Sequence, residues 1–172
     1  MKLGRNQFMR YPIDDGMKGI WQEVDRMIEY VRQFSADPEI VDFTRTLVMG
    51  CPARDIRCEI EKIHHFVKKH ARFVQDPTHR EVISTPTKMI DDVEDKGRTA
   101  GDCDELSTLE ATLLAALGIT PRFRFGGEGR EIYHVWVQAK YGPHWVDLEP
   151  SGYLDAGLHF EFQTYQTRDI FP

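Results

Sequence analysis

The sequence predicts an α+β protein, with helices over the first two thirds and antiparallel strands over the last third. Two patterns carry this prediction. Apolar residues recur at helical spacing as far as Leu117, and from Arg122 onward apolar and polar residues alternate. The length, 172 residues, fits one domain, and 41% hydrophobic with 29% charged residues is ordinary for a globular chain. The expected layout is a helical part over about 1–70 and a C-terminal strand tail over 152–172.

The first helix is marked by Ile20, Val24, Met27, Val31 and Phe34, with Asp14 and Asp15 upstream as caps. Asp37-Pro38 reads as an N-cap followed by proline at the first helical position, and Gly50 ends that second helix. A third helix is expected from about Pro52 to His70, with Ile56, Ile60, Ile63 and Phe66 inward. From Gln75 to Gly101, Pro77, Pro86, Gly97 and Gly101 interrupt the pattern, and only a short helical turn near Lys88–Val93 is expected. Long irregular stretches in compact domains are often functional.

Asp102 and Glu105 then form a D-x-x-E capping box before a helix lined by Leu106, Leu109, Leu113 and Leu114, with Gly118 at its end. The strands expected next are Arg122–Phe125, Ile132–Ala139 and His144–Leu148. Turns are expected at Gly126–Gly129 and Tyr141–Pro143, and Leu158–Tyr165 reads as an edge strand.

The net charge of −6 speaks against a nucleic-acid partner, since phosphate binding needs clustered basic residues. The densest basic stretch, Lys68, Lys69, His70 and Arg72, lies at a helix end, where cations suit the dipole. The first 20 residues hold no apolar run, and no segment approaches a membrane span, so neither signal peptide nor membrane partner is expected and the protein is read as cytoplasmic. Three cysteines then do not suggest a disulfide framework.

Cys103 falls in the first helical turn after Asp102. Unpaired N–H groups and the positive helix end there favour a thiolate, while the adjacent Asp102 and Asp104 oppose it. His134 lies on a strand, sharing a face with Ile132 and Trp136. In the next strand Trp145, Asp147 and Glu149 share one face. A four-residue loop, Ala139–Gly142, would put His134 opposite Asp147, within reach of an imidazole–carboxylate hydrogen bond. A register shifted by two would put Glu149 there instead. Taken singly, Cys103 reads as a small buried hydrophobe and His134 as a structural partner of an acid. Taken together, a thiol at a helix start, a histidine on a strand and a carboxylate on the neighbouring strand are the parts of a Cys-His-Asp triad.

Those residues resemble the transglutaminase-like superfamily. Gly101-Asp102-Cys103-Asp104 with the Leu-rich helix is similar to its nucleophile motif, His134-Val135-Trp136-Val137 to its histidine motif, and Trp145-Val146-Asp147 to its aspartate motif. The resemblance runs from about Lys62 to Ser151, which makes residues of about 62–151 the catalytic core. It implies a papain-like fold, a central nucleophile-bearing helix on an antiparallel sheet. It also implies thiol-dependent acyl transfer on a peptide or protein amide, without a cofactor, as a peptidase, an amidase or a transglutaminase. Cys103 would attack the carbonyl, His134 would carry the proton, Asp147 would orient the imidazole, and Trp136 and Trp145 would wall the site. Paired with an imidazolium, Cys103 would hold a thiolate below the ordinary cysteine range. The superfamily also contains silent members that serve binding or assembly, and compact members occur among phage genes.

Two other groups of residues stand out. Cys51, Cys58, His64 and His65 lack the tight spacing of a zinc knuckle, so no metal is expected. Asp91, Asp92, Glu94 and Asp95 read as a solvated acidic loop. The motifs name neither the oligomeric state nor the second oxyanion donor, for which Gln75 reads as a solvated loop residue.

Overall fold

The computed structural model describes residues 8–11, 14, 16–75, 81–152 and 162–172. In chain order the elements are strand β1 (Phe8–Tyr11) and helices α1 (Met17–Phe34), α2 (Pro38–Leu47) and α3 (Ile56–His70). Strands β2 (Ala71–Phe73) and β3 (Glu81–Ser84), helix α4 (Pro86–Lys96) and strand β4 (Thr99–Gly101) follow. Helix α5 (Cys103–Ala116) then leads into strands β5 (Pro121–Glu128), β6 (Glu131–Tyr141), β7 (His144–Leu148) and β8 (Thr164–Asp169). Helices come first and the main antiparallel sheet last, so the fold is α+β as the patterning requires.

That sheet has the order β7-β6-β5-β8, with every neighbouring pair antiparallel. Two smaller sheets pair β1 with β3 and β2 with β4. β8 is an edge strand, but it begins at Thr164; the expected start at Leu158 lies outside the described residues.

α5 is the axis of the core. Leu106, Leu109, Leu113 and Leu114 are fully buried between the other helices and the Phe123, Val135 and Val137 face of the sheet. Each side chain of that size contributes roughly 1.5–3 kcal/mol by leaving water.

Local signals explain most boundaries. Asp37 caps α2 by accepting from the Glu39 N–H at 2.9 Å, with Pro38 opening the helix. At α1, Gly16 occupies the cap without a side-chain bond, and Asp14 instead pairs with Lys18 and Gln22. The other expected cap, Asp15, lies outside the described residues.

α3 starts at Ile56, four residues after the expected Pro52, because Asp55 caps it through the Cys58 N–H at 3.0 Å. The loop before it folds back and joins Cys51 to Cys58 in a disulfide, contrary to the expectation of no disulfide. The two cysteines are seven positions apart, and only the fold-back brings their Cα atoms to 5.7 Å. Their sulfurs are thereby unavailable as metal ligands.

The weak segment before Gly101 also differs from expectation. α4 is a full helix of 11 residues, capped by Thr85, opened by Pro86 and closed by Gly97 at φ +74°. Pro86 is a helix start, not an interruption, and the acids from Asp91 to Asp95 lie on this helix rather than on a loop. No described helix is long and apolar enough to cross a membrane.

Candidate active site

Cys103 is the first residue of α5 because Asp102 stops the preceding chain and caps the helix. Asp102 accepts from the Asp104 N–H at 3.1 Å, and Glu105 accepts from the Asp102 N–H at 3.2 Å, completing the capping box. Glu105 also accepts from the Ser84 N–H at 2.8 Å, which ties the helix start to β3. Cys103 is half-buried, and its thiol donates to the Asp104 carboxylate at 3.4 Å. Burial and the neighbouring Asp104 and Asp102 charges push the thiol well above the ordinary cysteine range, against a smaller opposing effect of the Val135 backbone. This direction runs against the expected low-lying thiolate, with burial as the largest cause and the two carboxylates next.

His134 is buried on β6. Its ring stacks with Trp136 (5.8 Å between centroids) and with Phe162 (5.9 Å). Nε2 faces Glu149, 3.4 Å from Oε1. Glu149 follows β7 and also accepts from the Ser151 N–H at 3.1 Å and from the Ser151 hydroxyl. Burial alone would raise the Glu149 pKa, but the His134 and Ser151 hydrogen bonds and the His134 charge prevail and take it down to about 2.

The acid beside His134 is thus Glu149 and not Asp147. The expected hairpin had a four-residue loop. The observed β6–β7 hairpin pairs Tyr141 with His144 across Gly142-Pro143 and sets Asp147 opposite Gln138. Gly142 adopts φ +57° and Pro143 has a fixed negative φ, which suits a two-residue turn. The Gly-Pro pair was the sequence signal for this register. Asp147 is consequently carried away from His134. It accepts from Trp136 Nε1 at 2.6 Å and from Gln138 Nε2 at 2.8 Å, and Arg124 lies 3.8 Å away.

The two tryptophans part as well. Trp136 stacks on the His134 ring but is not among the described residues that line the cleft holding Cys103. Trp145 lies opposite Lys140 toward the turn, with its ring under Arg122 (3.9 Å) and Lys140 (4.9 Å), and does not wall the site.

A bulge sets where His134 falls. β5 pairs Gly126 with His134 but Gly127 with Ile132, which leaves Tyr133 as the extra residue. Glycine is required on the β5 side, because a Cβ on Gly127 would lie 1.8 Å from the Glu131 carbonyl oxygen. On Gly126 it would meet the Phe162 ring at 2.5 Å.

Cys103 and His134 line one cleft of about 330 Å³. Its other walls include Ile20, Glu23 and Met27 from α1, together with Gln75 and Tyr133. Sequence periodicity assigned α1 only to the core and gave no sign that it closes this cleft. Glu23, Asp102 and Asp104 make the lining acidic, and no lysine or arginine among the described residues lines it. The Cys103 sulfur and the two aspartates present ligand atoms within 4.8 Å of one another, a set that could chelate a cation only by engaging the thiol. Chemically, the cleft offers a thiol with helix N–H groups behind it and an imidazole anchored on a carboxylate.

The model of the transglutaminase-like superfamily matches residues 41–150. No curated protein sequence matches the chain. Among solved structures, the fold is similar to that of a Cytophaga hutchinsonii protein described as a "Putative Cysteine Protease", with a TM-score of 0.52 and 13% identity. The likeness covers 73% of this chain and 42% of the Cytophaga protein, and at that identity it bears on the fold alone. With the matching model extending over more than half of its length, the chain belongs to the transglutaminase-like superfamily.

Proposed function

We propose that the chain is a cysteine enzyme that transfers acyl groups from an amide, as a peptidase, amidase or transglutaminase. Cys103 is the nucleophile, His134 the proton carrier and Glu149 the acid that orients the imidazole. The observation that carries the reading is the convergence of Cys103 at the start of α5 and Glu149-anchored His134 on one cleft.

In this scheme the thiol proton passes to His134 as the sulfur bonds to the carbonyl carbon. The oxyanion forms beside the Cys103 backbone N–H, one of the unpaired donors of the helix start. The Gln75 carboxamide, which the sequence suggested only as a solvated loop group, shares this cleft and is assigned as the second donor. Collapse breaks the C–N bond, and His134 returns the proton to the leaving amine. The thioester then passes to water or to a second amine. Because the resting thiol is protonated and bonded to Asp104, proton transfer to His134 accompanies attack and no standing ion pair precedes it.

The same Asp104 bond favours a second reading, a silent domain whose thiol is held by its neighbour and which serves binding or assembly. A peptide-amide library with intact-mass detection of acyl-enzyme separates the two. The enzyme reading expects a thioester on Cys103 that Cys103→Ala, folded by circular dichroism, does not form. Absence of any adduct on folded wild-type protein would leave the silent reading standing.

A further inference from the structure

The acids from Asp91 to Asp95 have no part in the proposed reaction, and α4 turns them to different sides. Asp92 holds Lys88 at 2.5 Å and Lys96 at 2.7 Å, which engages both lysines of that helix. Asp91 and Glu94, three residues apart and so neighbours on one side of α4, line a groove between α4 and α2. The polar rim of the α2 wall is also acidic: Glu39 and Asp42, again three residues apart. No lysine or arginine among the described residues lines this groove.

Between the two acidic rims the floor is apolar. Ile40, Phe43 and Leu47 of α2, Phe66 of α3 and Ile90 of α4 form it. The Phe43 ring meets the Phe66 ring edge-on, 5.3 Å between centroids. Ile40, Phe66 and Ile90 are buried, whereas Phe43 and Leu47 are half-buried and present apolar surface to the groove. The groove has a volume of about 570 Å³ and shares no lining residue with the Cys103 cleft. Apolar surface rimmed by polar groups marks a place where another chain binds, and here the rims carry charge of one sign. A helix with an apolar stripe flanked on both edges by lysine or arginine matches the floor and both rims at once. An extended segment turns every second side chain away and does not. A neutral or acidic helix would cover the carboxylates without pairing them, which is costly.

We propose that the groove between α2 and α4 docks a cationic amphipathic helix of a partner protein. The apolar stripe of that helix lies on Phe43 and Leu47. Its lysine or arginine side chains reach Glu39 and Asp42 on one wall and Asp91 and Glu94 on the other. The apolar contact supplies affinity, and the two rims set the orientation and reject acidic partners. The proposal needs neither the Cys103 cleft nor acyl transfer, so it stands or falls independently of the function proposed above.

The test is an NMR titration of the isotope-labelled full chain with a synthetic helical peptide that carries leucines along one face and lysines on both flanks. Two control peptides replace the lysines by glutamates or scramble the order at the same composition. The probe is expected to give saturable shifts confined to amides of α2, α4 and the Phe66 turn of α3, and the controls are not. Binding should weaken as salt is added. Asp42→Lys with Glu94→Lys reverses one exposed charge on each wall and should weaken the probe at least about tenfold. Equal binding of the scrambled peptide, or shifts spread over the whole surface, would show charge attraction without a site and overturn the proposal. Unchanged affinity in the double variant, folded by circular dichroism, would overturn it as well. Should that variant not fold, the three peptides decide. A dimer of the chain alone in sedimentation, dissociated by the same double variant, would give the groove to a second copy and remove the helix assignment.

Discussion

Asp147 and Glu149 are two residues apart, and their hydrogen bonds distinguish them more sharply than their positions in the chain. Glu149 faces His134, whereas Asp147 joins Trp136, Gln138 and Arg124. Glu149→Ala is therefore expected to lower turnover by orders of magnitude, as in triads that lose the orienting acid. Asp147→Ala should cost less than tenfold. Turnover of both variants on one substrate checks this, and the reverse ranking would mean that the imidazole is oriented from elsewhere. Cys103 supports a prediction about pH. Its thiol is pushed up by burial, Asp104 and Asp102, so its alkylation should rise only at pH above the ordinary range of ~8.5. Asp104→Asn should move that profile downward by removing both a charge and the hydrogen-bond acceptor. Rapid alkylation of the wild type at pH 6 would contradict a protonated resting thiol.

At the scale of elements, the β5–β6 bulge places the histidine and the capping box places the cysteine. Gly127→Ala forces a Cβ against the Glu131 carbonyl, so the bulge must open or the strands must part. A loss of roughly 2–3 kcal/mol in urea denaturation is expected. Turnover at temperatures where the variant remains folded should fall too, because His134 moves with the bulge. Unchanged stability would show that the pair tolerates an ordinary register. The capping box was plain in Asp102 and Glu105, since both of its bonds are local. The bulge was not, because Gly126-Gly127 reads equally well as a turn, and the choice depends on β6 and β8 lying alongside.

Over the whole molecule, two buried glutamates give stability an opposed dependence on pH. Glu149, at about 2, lies below the usual carboxylate range of ~4.3, so its contribution is complete above that range and disappears as pH falls through 2. The size is about 3 kcal/mol. Glu110 is raised instead, so its contribution is present below the usual range and is lost as pH rises through its folded value. Glu149→Gln should therefore flatten the decline in stability between about pH 4.5 and 2, measured by thermal unfolding across that range. An unchanged acid limb would show that other carboxylates govern it.

The sequence by itself determined the α+β order, the capped start of α5 and the candidates Cys103 and His134. These follow from helical periodicity, strand alternation and a capping pattern, all of which act over a few residues. The same local chemistry could have revealed α4, whose Thr85, Pro86 and Gly97 are ordinary start and stop signals. Only the tertiary structure decided which acid meets the imidazole, which tryptophan packs on it, that α1 closes the cleft and that Cys51 bonds Cys58. Each of these depends on the distance between chain segments. The observed pairing moves Asp147 by four positions, from opposite His134 to opposite Gln138, and Glu149 beyond the end of β7 meets the imidazole instead, while every residue keeps its local preference.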